Sequence, residues 1–90
     1  MFAEDKLSSL VETAKSLGIE VRLVDTAGSG KDGGALVRLK GREIIFLDVS
    51  APIADRVETV ARALAGRNEL EQRYLPPEVR QAIEQASSST

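Results

Sequence analysis

Ninety residues, 42% of them apolar and 29% charged, can build one hydrophobic core but are too few to divide between two. Twelve basic against 14 acidic side chains leave a net charge of −2. That argues against a nucleic-acid binder, whose affinity rests on a basic excess that neutralises phosphates. With no His and no Cys, imidazole and thiolate chemistry are excluded together with disulfides, which fits a reducing cytoplasm as the expected location.

The first residues, Met1-Phe2-Ala3-Glu4-Asp5, lack a basic region followed by an apolar run, so no secretory signal is expected. No apolar stretch approaches the roughly 18–20 residues that cross a bilayer, so no membrane partner is expected either. From about Glu4 to Leu17, Leu7, Leu10, Val11, Ala14 and Leu17 recur at three- and four-residue spacing, predicting an amphipathic helix. Glu4 and Asp5 in its first turn and Lys15 in its last suit the helix dipole. Gly18 is the expected left-handed cap.

Ile19, Val21 and Leu23 alternate with Glu20 and Arg22, predicting a strand over Ile19 to Asp25. Thr26 to Gly34, with four glycines in nine residues, reads as a loop. Ala35 to Asp48 then reads as a hairpin about a Lys40-Gly41 turn, with Arg38 facing Glu43, Val37 facing Ile44 and Ala35 facing Phe46. The same register puts Leu36, Ile45 and Leu47 on the opposite face, so both faces of the sheet are apolar.

A second helix is predicted over Ala51 to Ala65, with Ser50 as N-cap, Pro52 in the first turn and Gly66 as terminator. Its buried stripe is Ile53, Val57, Val60, Ala61 and Leu64, with Thr59, Arg62 and Gly66 on the other side. A short helical turn around Glu69 to Tyr74 precedes a break at Leu75-Pro76-Pro77. A last helix, Pro77 to Ala86, turns Val79, Ala82, Ile83 and Ala86 inward. Residues 87–90 are expected to be a flexible tail on a single domain spanning 1–86. The fold class is α+β, in the order α-β-β-β-α-α, with helices packed on a mainly antiparallel three-stranded sheet.

Three pieces of the chain carry a resemblance: Ser16-Leu17-Gly18-Ile19, the hairpin at Gly41-Arg42-Glu43-Ile44, and Thr59-Val60-Ala61-Arg62-Ala63-Leu64-Ala65-Gly66. Together they resemble the N-terminal half of the ImmA/IrrE-type metallopeptidase family, whose zinc helix reads close to T-L-A-H-E-L-G-H. Thr59, Val60, Ala61 and Leu64 fit that frame. The positions of the two zinc-binding His fall on Arg62 and Gly66, and that of the catalytic Glu on Ala63. The resemblance therefore implies the scaffold, with neither the metal nor the peptidase activity. It also places Arg62 on the face that would line the peptidase cleft, as a candidate anchor for a partner.

Asp25 to Asp32 resembles a phosphate-binding loop in outline, with Gly28, Gly30 and Lys31 as its candidate ligand residues. A Walker-type loop needs Gly where Asp25 stands and a hydroxyl where Asp32 stands, followed by a helix. Here strand-like sequence follows. Glu43, Asp48, Asp55 and Glu58 show no cation-loop spacing and are expected to be solvated or locally paired.

The sequence thus points to a non-catalytic interaction or structural module without a cofactor. Its expected partner is a protein, including a second copy of itself. Leu36, Ile45 and Leu47 are the candidate contact residues, joined by Arg62 and Tyr74. A small ligand- or nucleotide-binding domain using loop 26–34 is the alternative.

Overall fold

The apolar stripe of the first segment folds as expected, into helix α1, Ala3–Ser16, with Leu10 and Ala14 fully buried. Gly18 ends it at φ +84°, and the Gly18 and Ile19 amides donate to Lys15 and Ala14 carbonyls at 3.0 and 3.1 Å. This computed structural model describes residues 3–29 and 33–88. After α1 come strands β1 (Glu20–Val24), β2 (Gly34–Leu39) and β3 (Arg42–Asp48), then helix α2 (Ile53–Leu64). A 3₁₀ segment, Asn68–Gln72, and helix α3, Pro77–Ser88, complete the chain.

The hairpin forms in the expected register: Arg38 opposes Glu43, Val37 opposes Ile44 and Ala35 opposes Phe46. Its turn residues Lys40 and Gly41 sit at φ +52° and +77°, the mirror-image turn whose twist matches that of paired strands.

The rest of the sheet departs from expectation. Strand order is β1-β3-β2, and β1 runs parallel to β3, with Glu20 beside Ile44 and Val24 beside Asp48. The sheet is therefore mixed rather than mainly antiparallel. The cause lies in the connection after β1, which does not fold straight back but carries the chain past the far end of β3 to start β2 there. The Asp48 amide donates to the Gly33 carbonyl at 2.8 Å, and the Val49 amide to the Val24 carbonyl at 2.8 Å. Gly34 makes this crossing feasible, since a Cβ on it would lie 1.8 Å from the Phe46 carbonyl oxygen.

Helices α1 and α2 pack on one face of the sheet, and α3 packs on those two helices. There Ile45 and Leu47 join Leu10 and Ala14 of α1, Val60, Ala61 and Leu64 of α2, and Val79 and Ile83 of α3 in one buried cluster. Leu70 of the 3₁₀ segment and Leu75 beyond it join the same cluster. The register places Val21, Leu23 and Leu36 on this same face. The opposite face carries Glu20, Arg22 and Val24 from β1, Ile44 and Phe46 from β3, and Ala35, Val37 and Leu39 from β2.

Smaller differences follow from local chemistry. Thr59, expected beside Arg62 on the outer side of α2, is buried, its hydroxyl donating to the Asp55 carbonyl at 2.9 Å. Ser50 is not the cap of α2; Pro52 holds that position and its carbonyl accepts from the Asp55 and Arg56 amides. Helix α3 runs on to Ser88, so Ser87 and Ser88 belong to the helix and not to the expected tail. Residues 89 and 90 lie outside the described residues.

Candidate functional site

Ile45 and Leu47 cannot serve as contact residues, because the helices bury them almost completely. Two apolar faces of similar composition left the sequence no means of marking which one the helices would take. The face left without a helix is the other one. On it Val24, Val37 and Leu39 are 37%, 38% and 56% exposed. Ile44, flanked in the register by Glu20 and Val37, is buried, and Phe46 is half-buried.

Leu36 and Arg62 are brought together. With Gly34, Ala35, Thr59 and Ala63 they line a groove of about 240 Å³ between β2 and α2. Arg62 is exposed and pairs with Glu58 one turn back, at 2.7 Å. Tyr74 is 84% exposed and lines no part of this groove. It follows Arg73, whose guanidinium donates to the Ser16 hydroxyl at the end of α1, at 3.0 Å.

Among the described residues the sheet also has two unpaired edges, and the hydrogen bonds fix what each one offers. In β1 the Val24 carbonyl turns toward β3, where the Val49 amide meets it. Backbone groups alternate sides along a strand, so Glu20 and Arg22 also face β3. Val21 and Leu23 then present their amides and carbonyls outward. Leu23 is 69% exposed. It borders a groove of about 440 Å³ lined by Leu7 and Val11 of α1, Val21, Leu47 and Val49. In β2 the two-residue turn makes Leu39, Val37 and Ala35 the residues that bond to β3, leaving Gly34, Leu36 and Arg38 facing outward.

Two polar clusters went unanticipated. Asp48, expected to be solvated, is buried. Its carboxylate accepts from the Thr26 hydroxyl at 2.5 Å, the Ser50 hydroxyl at 2.6 Å and the Ser50 amide at 3.0 Å. These bonds, those from Ser50 foremost and then those from Thr26, pull its pKa down to about 2. The Asp-x-Ser spacing of Asp48 and Ser50, a self-bonding turn pattern, was the available signal.

Glu43 is likewise more than the expected partner of Arg38, which approaches it at 3.5 Å. Arg67 grips both of its oxygens, at 2.9 and 2.5 Å, and anchors itself on the Ala63 carbonyl at 2.8 Å. The hydrogen bond from Arg67 holds the Glu43 carboxyl below its ordinary range, outweighing the opposing effect of burial.

Of the candidate ligand loop, Gly28 is described, whereas Gly30 and Lys31 lie outside the described residues. The amides of Thr26, Ala27, Gly28 and Ser29 donate within the fold, to Asp48, Asp25, Ser50 and the Thr26 carbonyl respectively. Among the described residues no three acidic side chains gather to hold a metal ion, and no helix is long and apolar enough to cross a membrane. No protein-family model, curated protein or solved structure matches this chain.

Proposed function

We propose that this chain is a non-catalytic protein-interaction module and that the partner it takes is a second copy of itself. The observation carrying this reading is the one-sided sheet. Three strands carry helices on one face only, which leaves an apolar face and two strand edges open to a partner. Open edges with exposed aliphatic side chains are templates for strand pairing, and contiguous exposed apolar surface marks interaction sites. A net charge of −2 raises little repulsion between copies.

The chain has no imidazole or thiol, and Arg62, Ala63 and Gly66 stand where the resembled peptidases carry their catalytic helix residues. A descent from that scaffold with loss of its chemistry fits an interaction role. The alternative, anion binding by loop 26–34, finds less support. A phosphate cradle needs backbone amides free to point at the ligand, and those of residues 26–29 are bonded internally, beside the Asp48 carboxylate.

Sedimentation velocity on the full 90-residue chain, from about 1 µM to about 1 mM, tests the proposal. A reversible monomer–dimer equilibrium is expected. Sedimentation as a monomer throughout that range overturns it.

A further inference from the structure

The two open edges are not equivalent, and their charges distinguish them. Strand β2, Gly34-Ala35-Leu36-Val37-Arg38-Leu39, has one charged residue, Arg38, which approaches Glu43 of its own hairpin. Paired with itself it gains no complementary contact, and a register centred on Arg38 sets like charges against each other. Strand β1 reads Glu20-Val21-Arg22-Leu23-Val24. A two-fold axis through Val21 turns Glu-Val-Arg onto Arg-Val-Glu, so the segment is complementary to its own reverse.

We infer that β1 is a homodimer edge, pairing antiparallel with β1 of a second copy in the register centred on Val21. The proposal rests on the self-association argued above and names its geometry. Val21 presents its amide and carbonyl outward, so the two Val21 residues exchange backbone bonds across the axis. By the same alternation the Leu23 amide meets the Ile19 carbonyl of the other copy. Glu20 of each copy then opposes Arg22 of the other, on the face without helices.

Within one chain Arg22 already contacts Glu20, so pairing assembles two carboxylates and two guanidiniums in alternation. Opposite charges directly across a strand pair stabilise it, and like charges destabilise it. Leu23, after Tyr74 the most exposed large apolar side chain among the described residues, comes to lie against Ile19 on the helix side. Of the other registers that join outward-facing residues of β1, Val21 to Leu23 sets Arg22 against Arg22, and Leu23 to Leu23 sets Arg22 against Val24, so neither gains the charge complement. Two three-stranded sheets become one sheet of six strands.

The test uses charge reversal in the full chain. Glu20→Arg and Arg22→Glu each place like charges across the axis, and each is expected to weaken dimerisation roughly ten- to a hundredfold. Mixed in equal amounts, the two variants regain a complementary pairing, and native mass spectrometry is expected to show the heterodimer in preference to either homodimer. Circular dichroism checks that each variant is folded. Val21→Pro is a second probe, since it removes an amide that faces solvent in the monomer and not one of the ladder to β3; it is expected to yield a folded monomer. Dimers that persist in both reversed variants, or variants that do not recombine on mixing, overturn the β1 edge while leaving self-association intact. A monomeric wild-type chain overturns both.

Discussion

Arg67→Ala isolates the ion pair that ties the end of α2 to the sheet. The Arg67 guanidinium makes two bonds to Glu43 and one to the Ala63 carbonyl. Its side chain is 16% exposed and that of Glu43 25%, so this pair is neither a surface pair nor a fully buried one. Exposed ion pairs contribute about 0–1 kcal/mol, and breaking a buried pair costs about 3–5 kcal/mol. Glu43 keeps some access to water, and Arg38 remains near it, so a loss of about 2 kcal/mol is expected, between those limits.

For a domain of this size that lowers Tm by roughly 8–16 °C, and the urea midpoint by about 1–2 M at unchanged m-value. Because the folded pKa of Glu43 is depressed, its contribution is present above the ordinary glutamate pKa and is lost as pH falls through the folded value. Wild type and Arg67→Ala therefore converge in acid. A double-mutant cycle with Glu43→Gln at neutral pH is expected to return a coupling above about 1 kcal/mol. A loss below about 0.5 kcal/mol, or strict additivity in the cycle, refutes the reasoning.

Two further outcomes can be measured by the same denaturation series. Gly34→Ala is expected to cost about 3 kcal/mol or more, because φ +147° and the Phe46 carbonyl leave no room for a Cβ; Gly28→Ala, at φ +85° in open space, should cost about 1 kcal/mol, and equal losses at the two positions would refute the steric account. Asp48→Asn should narrow its stability gap to wild type as pH falls from about 4 toward 2, since a carboxyl lowered from 3.8 to about 2 stabilises the fold above that window and not below it; a gap independent of pH would refute the assignment.

What could be read from the chain was whatever is decided locally. The stripe of α1 and its Gly18 cap depend on residues within a few turns of one another, and the Lys40-Gly41 turn fixed the hairpin register without help from the rest of the fold. The neighbour of β1 is another matter. Two strands adjacent in sequence suggest a meander, but β3 lies between them, because the connection after β1 reaches past Asp48 before the chain turns back. Nothing within β1 encodes that choice.

The candidate contact residues show the same division. Leu36 does border an open groove, whereas Ile45 and Leu47 are core, since alternation along a strand separates two faces without saying which one the helices cover. Glu43 was matched to the partner its own hairpin supplies. Arg67, 24 positions away, takes the larger share, and only tertiary packing brings it there.

The place of β1 in the sheet also governs when it can be used during synthesis. Among the described residues its sole neighbour is β3, and Glu20 waits for Ile44, a separation of 44 − 20 = 24 residues. On a ribosome, α1 and β1 therefore emerge with no strand to join, while β2 and β3 can close on each other as soon as their turn is made. The nascent chain meets its surroundings with an unpaired strand open on both sides, and only the arrival of Ile44-Ile45-Phe46-Leu47 closes one of them.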